Sequence, residues 1–157
     1  MRGKLHLCLV FAVGFLAVGG GATSALGAPQ TSTPASLLQA VNAARVSHGV
    51  APLHFDAGLG RAAEAHTLDM LRGNYFAHGD FYGRMVAFRL HGALGENLAW
   101  GSGSYGAAQA IVQMWLTSAE HRANLLRPGF HRIGLGIARG SFQGATGATI
   151  VTADFGS

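Results

Sequence analysis

Apolar residues recur at helical spacing along PASLLQAVNAARVSHG, where Leu37, Leu38, Val41, Ala44 and Arg45 share one face. Thr33 suits the cap of this helix, Pro34 its first turn and Gly49 its end. A second helix is predicted in FDAGLGRAAEAHTLDMLRG, with Asp56 as N-cap, Leu59, Ala62, Ala63, His66 and Met70 on one face, and Gly73 as terminator. FYGRMVAFRLHG reads as a shorter third helix, and the glycine-bounded GENLAW as a strand or extended segment. SYGAAQAIVQMWLTS places Ala108, Ile111, Val112, Trp115 and Leu116 at helical spacing. A brief helical turn, AEHRANLL, follows, with Ser118 as its cap and Pro128 stopping its extension. From His131 the period changes. HRIGLGIARG and GATIVTADFG alternate or run apolar around the glycine-rich SFQGATG and predict a hairpin. Helical segments followed by paired strands predict an α+β domain with helices layered on an antiparallel sheet.

The first residues carry a different pattern. Arg2 and Lys4 precede an apolar run from Leu5 to Val18 that gives way to small residues, the layout of a secretory signal ending near Gly27. The run is interrupted by His6 and Gly14 and is too short to span a membrane. Residues 1–27 are therefore read as a signal peptide, 28–34 as a linker and 35–157 as the folded domain. The expected product is secreted, with no stable membrane span once the signal is removed, and monomeric.

Composition narrows the function classes. Cys8 lies inside the signal, so the mature chain has no cysteine and its stability rests on its core. At about 130 residues it is one domain of ordinary size. The chain has 11 basic and 7 acidic residues; without Arg2 and Lys4 the balance is 9 to 7, a formal +2. The remaining arginines are dispersed, and no basic run is interleaved with aromatics, which excludes a nucleic-acid partner. There is no P-loop and no dinucleotide fingerprint, and no organic cofactor is expected.

Histidines are the unusual feature. Of eight, His6 falls in the signal and seven remain. His78 lies in YFAHGD, His121 in SAEHR, and Glu96 stands at the mouth of the otherwise apolar GENLAW. A carboxylate there is costly unless something pairs with or coordinates it. Imidazoles with a carboxylate suit Zn²⁺ or a similar divalent ion, although tens of residues separate the three.

These residues coincide with a wider pattern: YFAHGD at 75–80, GENLAWG at 95–101, MWLTS at 114–118, HRANLLRPGFHRIGLGIA at 121–138 and VTADFG at 151–156. On these motifs the sequence resembles the CAP superfamily, which contains cysteine-rich secretory proteins, antigen 5 and plant pathogenesis-related class 1 proteins. It is most similar to the short, cysteine-free bacterial SCP-type members, from about Ala35 to the C-terminus. The resemblance implies a three-layer α-β-α sandwich with a central antiparallel sheet and a concave cleft. In eukaryotic members two histidines and two glutamates line that cleft and can hold a divalent metal. His78, Glu96 and His121 match three of the four. The fourth position, three residues after Trp115, is Ser118. Lower metal affinity is expected, and Glu120 in the next turn is read as complementing the helix dipole.

Two functions follow as expectations. One is a secreted binding module for a lipid, peptide or cell-envelope component, with weak divalent-metal binding. The other is a metal-assisted, protease-like hydrolase using His78, Glu96 and His121, in which the ion activates water or Glu96 acts as general base. The second lacks a convincing nucleophile, because Ser118 reads as a cap. Asn97 is expected to tie backbone groups at a bend after Glu96. Arg122 and Asn124 should anchor the short helix to neighbouring loops, Trp100 and Trp115 belong to the core, Asp80 stabilises its turn, and His66 packs.

Overall fold

The computed structural model describes residues 32–157. The proposed signal peptide and most of the linker lie outside them. Helix α1 (Pro34–Ser47) is followed by the short strand β1 (His54–Phe55) and by α2 (Ala57–Gly73). Next come α3 (Phe81–Ala87) and β2 (Leu94–Ser102), and after a 3₁₀ turn at Gly103–Gly106, α4 (Ala108–Thr117) and α5 (Ala119–Leu125). Strands β3 (Arg132–Phe142) and β4 (Ala145–Gly156) close the chain.

The predicted caps of the first two helices are in place. Thr33 Oγ1 accepts from Ser36 N at 3.1 Å, with Pro34 as the first helical residue. Asp56 accepts from Leu59 N at 2.9 Å through one oxygen, and from Arg132 Nη1 at 2.9 Å through the other. The backbone bond from Leu59 is the largest of the influences that hold its pKa below the ordinary carboxylate range. Asp56→Ala is expected to cost about 1–2 kcal/mol in urea denaturation, and Asp56→Asn, which keeps the cap, distinctly less. Gly73 is not the terminator of α2: the helix includes it, and Asn74 adopts the left-handed conformation at φ 50°.

The sheet has the order β1-β3-β4-β2. β4 pairs antiparallel with both long neighbours, but β1 pairs parallel with β3, so the sheet is mixed rather than wholly antiparallel. β1 is two residues long, held by His54 N to His131 O at 2.9 Å and Asp56 N to Ile133 O at 2.8 Å. The hairpin loop is tighter than SFQGATG suggests. Gln143 (φ 49°) and Gly144 (φ 81°) form a two-residue turn, positive φ at both positions matching the right-handed strand twist.

Alternation along β4 divides the core. Val151, Ala153 and Phe155 join Leu37 and Val41 of α1, Ile111 and Trp115 of α4 and Leu125 of α5 on one face. Ala148 and Ile150, with Leu98 of β2, pack with Met70 of α2 on the other. Helices thus cover both faces, the expected α-β-α sandwich. On the α2 side the helix backbone rests directly on β3: a Cβ at Gly134 would stand 2.0 Å from the carbonyl carbon of Leu59, and one at Gly136 2.3 Å from the oxygen of Ala63. No helix among the described residues is long and apolar enough to cross a membrane.

Candidate binding cleft

Strand register places Glu96 of β2 opposite Asp154 of β4, with Gly134 of β3 on the far side of Asp154. Cross-strand partners share a face, here the α2 face. The loop after α2 brings His78 to this row, and its Nδ1 donates to Glu96 Oε1 at 2.7 Å. The other carboxylate oxygen, Oε2, accepts from Arg84 Nη2 of α3. Asp80 is the N-cap of α3, and its carboxylate accepts from Gly83 N at 2.9 Å and so stabilises its turn as expected. The Glu96 side chain is 2% exposed, that of Arg84 12% and that of His78 49%. The acid is therefore enclosed, and the imidazole is what the cleft shows to solvent. With Nδ1 donating, the neutral ring presents Nε2 as an acceptor.

Asp154 is fully buried, and no donor reaches either of its oxygens. Its polar neighbour is another carboxylate, so a hydrogen bond forms between them only if one keeps its proton. Burial first, and the charge of Glu96 second, push the Asp154 carboxyl up to about 8, against a smaller opposing pull from Arg84. At neutral pH Asp154 therefore keeps its proton.

His121 lies nearby in α5 but makes no side-chain hydrogen bond to Glu96 or His78. Burial lowers its pKa, and the neighbouring His78 adds to that effect. Asn97 Nδ2 donates to the His121 carbonyl at 2.9 Å, and Asn124 Nδ2 donates to Glu96 O and Asn97 Oδ1, both at 3.1 Å. Asn97 ties backbone as predicted, but along an unbroken strand rather than at a bend, and Asn124 anchors α5 to β2 rather than to a loop. Ser118 occupies the N-cap position of α5 without a side-chain capping bond, and exposed Glu120 sits in the first turn. Trp115 is buried with its indole N–H on Leu98 O at 3.0 Å, while Trp100 is only partly buried. His66 is packed, as expected, and donates from Nε2 to Ala77 O at 3.0 Å; burial lowers its pKa.

The model of the cysteine-rich secretory protein family, CAP, matches residues 38–155. The chain belongs to the CAP family. YkwD of Bacillus subtilis is 34% identical over 119 residues, covering 68% of this chain and 45% of the relative. An extracellular SCP-domain protein of Bacillus anthracis superposes with a TM-score of 0.64 at 27% identity, over 76% of this chain and 38% of that one. An outer surface protein of Borrelia burgdorferi shares the fold, with a TM-score of 0.60 at 18% identity over 77% and 90% of the two chains. The chain spans less than half the length of the curated Bacillus relatives it matches.

This CAP domain brings His78 and Glu96 together but does not present the donors of a metal centre. Both Glu96 oxygens are engaged, one of them by a cation, which leaves His78 Nε2 as the open donor of the pair. Among the described residues no group of three or more His, Cys, Asp or Glu is placed to hold a metal ion. The donors as they stand do not make up the three protein ligands of an open zinc site. Arg84 and Asp154 are the members of the site that sequence reasoning missed. Asp154 carried a usable signal, an acid between Ala153 and Phe155 in a run apolar on both faces. Arg84, on a short amphipathic helix, carried none.

Proposed function

We propose that this CAP domain is an exported, non-enzymatic binding module for an amphiphilic cell-envelope component. The observation that supports this reading most is the engagement of Glu96 by His78 and Arg84. A carboxylate held from both sides and closed off from solvent orients its neighbours and has no free oxygen to activate water. The ligand chemistry is suggested by a groove of about 440 Å³ lined by α3, residues 90–94 and Arg127. Tyr82, Met85, Val86, Leu90 and Leu94 supply an apolar lining, Arg127 stands in it, and no carboxylate does. Tyr82 and Val86 are well exposed. The Arg127 guanidinium lies 4.9 Å over the Phe130 ring and forms no ion pair among the described residues. An apolar body with an anionic end matches this lining.

The test is binding of fluorescent hexadecanoate to the purified protein, beside the uncharged alcohol of the same length. Saturable binding is expected, tighter for the carboxylate, and about 10-fold weaker in Val86→Asp, since seating an aliphatic side chain contributes on the order of 1.5–3 kcal/mol. The hydrolase reading draws on the outward imidazole held by an acid. Chelator-sensitive turnover of peptide or ester libraries, lost in Glu96→Gln, would establish that reading and overturn the binding module.

A further inference from the structure

We propose that Arg84 is the resident cation of the cleft, so that the Glu96 site is complete without a metal. Three observations carry this. The guanidinium takes Glu96 Oε2, the side of the carboxylate left open by His78, which holds Oε1 at 2.7 Å. Its second nitrogen, Nη1, also leans on the carbonyl of His78 at 3.4 Å, so one side chain braces both partners. The arginine is itself largely enclosed and lies 5.7 Å from the Phe81 ring centroid, with α3 fixed by the Asp80 cap and buried Met85.

The charges close on this arrangement. One enclosed carboxylate meets one enclosed guanidinium, and a charge-assisted pair of this kind is costly to break from one side. A divalent ion on Glu96 would face Arg84 at close range, or would have to expel it into solvent. Expelling it would leave one carboxylate and the imidazoles of His78 and His121, which are not placed together as the three-ligand group an open zinc site takes. Arginine suits the role because its planar fork stays charged at every relevant pH.

The test is calorimetric titration with ZnCl₂, with melting curves in Zn²⁺ and in EDTA. Wild-type protein should show no stoichiometric Zn²⁺ site and the same Tm in both. Arg84→Gln, checked for folding by circular dichroism, should gain Zn²⁺ affinity by about 10-fold or more, the scale on which groups around a metal ligand act. That gain should vanish in Arg84→Gln/His78→Ala. Arg84→Lys, which keeps the cation, should behave as wild type and serves if the glutamine variant does not fold. Stoichiometric Zn²⁺ binding by wild type that is lost in His78→Ala would overturn the proposal, as would a folded Arg84→Gln protein with no gain.

Discussion

Asp154→Asn is expected to flatten the alkaline side of the pH–stability profile and to make the protein more stable than wild type at pH 8–9. An aspartate in the unfolded chain ionises near 3.9, whereas folded Asp154 holds its proton up to about 8. Between those values the folded state binds one proton more than the unfolded state. The stabilisation is therefore full below about pH 4 and falls by about 1.4 kcal/mol per unit until it is lost above about pH 8. His66 and His121 act in the opposite sense. Burial lowers both, so their contribution is present above the unfolded value of about 6.5 and is lost as the pH falls through the folded values. Wild-type stability should decline as the pH rises from about 6.5 to about 8, where the histidines no longer change and only Asp154 titrates. In Asp154→Asn the neutral amide has no proton to lose, so the alkaline decline should disappear. Urea midpoints at pH 5, 7 and 9 decide the matter. At pH 9 the variant should exceed wild type by roughly 2 kcal/mol or more, and parallel profiles would show that Asp154 is ionised throughout.

Arg45→Met should be the most damaging substitution outside the cleft. Arg45 is fully buried, yet no carboxylate answers it. Its Nε donates to Ala51 O at 2.7 Å, Nη1 to Leu125 O at 2.7 Å and to Arg127 O at 3.2 Å, and Nη2 to Phe130 O at 3.1 Å. One guanidinium thus satisfies carbonyls after α1, at the end of α5 and before β3. Methionine fills much of the same space but strands three of those acceptors, Arg127 O keeping the Phe130 N–H, and each costs about 1–3 kcal/mol if it stays dry. Relief of the guanidinium's own desolvation offsets part of this. A net loss of roughly 3–5 kcal/mol is expected in the urea midpoint at unchanged m-value. Lysine should rescue little, because a point charge cannot address carbonyls on three sides. A loss below about 1 kcal/mol in Arg45→Met would mean that water replaces the guanidinium.

The same residue shows where sequence reading stops. Spacing put Arg45 on the buried face of α1, and that was right; a pattern of apolar positions cannot say that the face needs a donor there. Helices α1 and α2 were legible because periodicity and the caps Thr33 and Asp56 agreed. β1 was not, since two exposed residues show no alternation and its parallel partner lies far along the chain. Glu96 was legible as an acid in need of a partner. His78 came from the family motif, and no local spacing encodes their 2.7 Å contact. Arg84 and Asp154 escaped for different reasons. A charge on a short helix reads as solvated, and the acid in VTADFG becomes buried only once β2 and β3 flank β4 on both sides.

The direct rest of α2 on Gly134 and Gly136 has a mechanical consequence for the cleft. Elsewhere a layer of side chains separates helix from sheet and can yield by rotamer changes. Here main chain meets main chain, so α2 and the strand row bearing Asp154 move as one stiff body. α3 is held differently, for Met85 is its only buried residue and packs with Leu59 and Ala62 of α2. A movement of α3 away from the sheet would have to strain the Arg84–Glu96 pair, which acts as its latch.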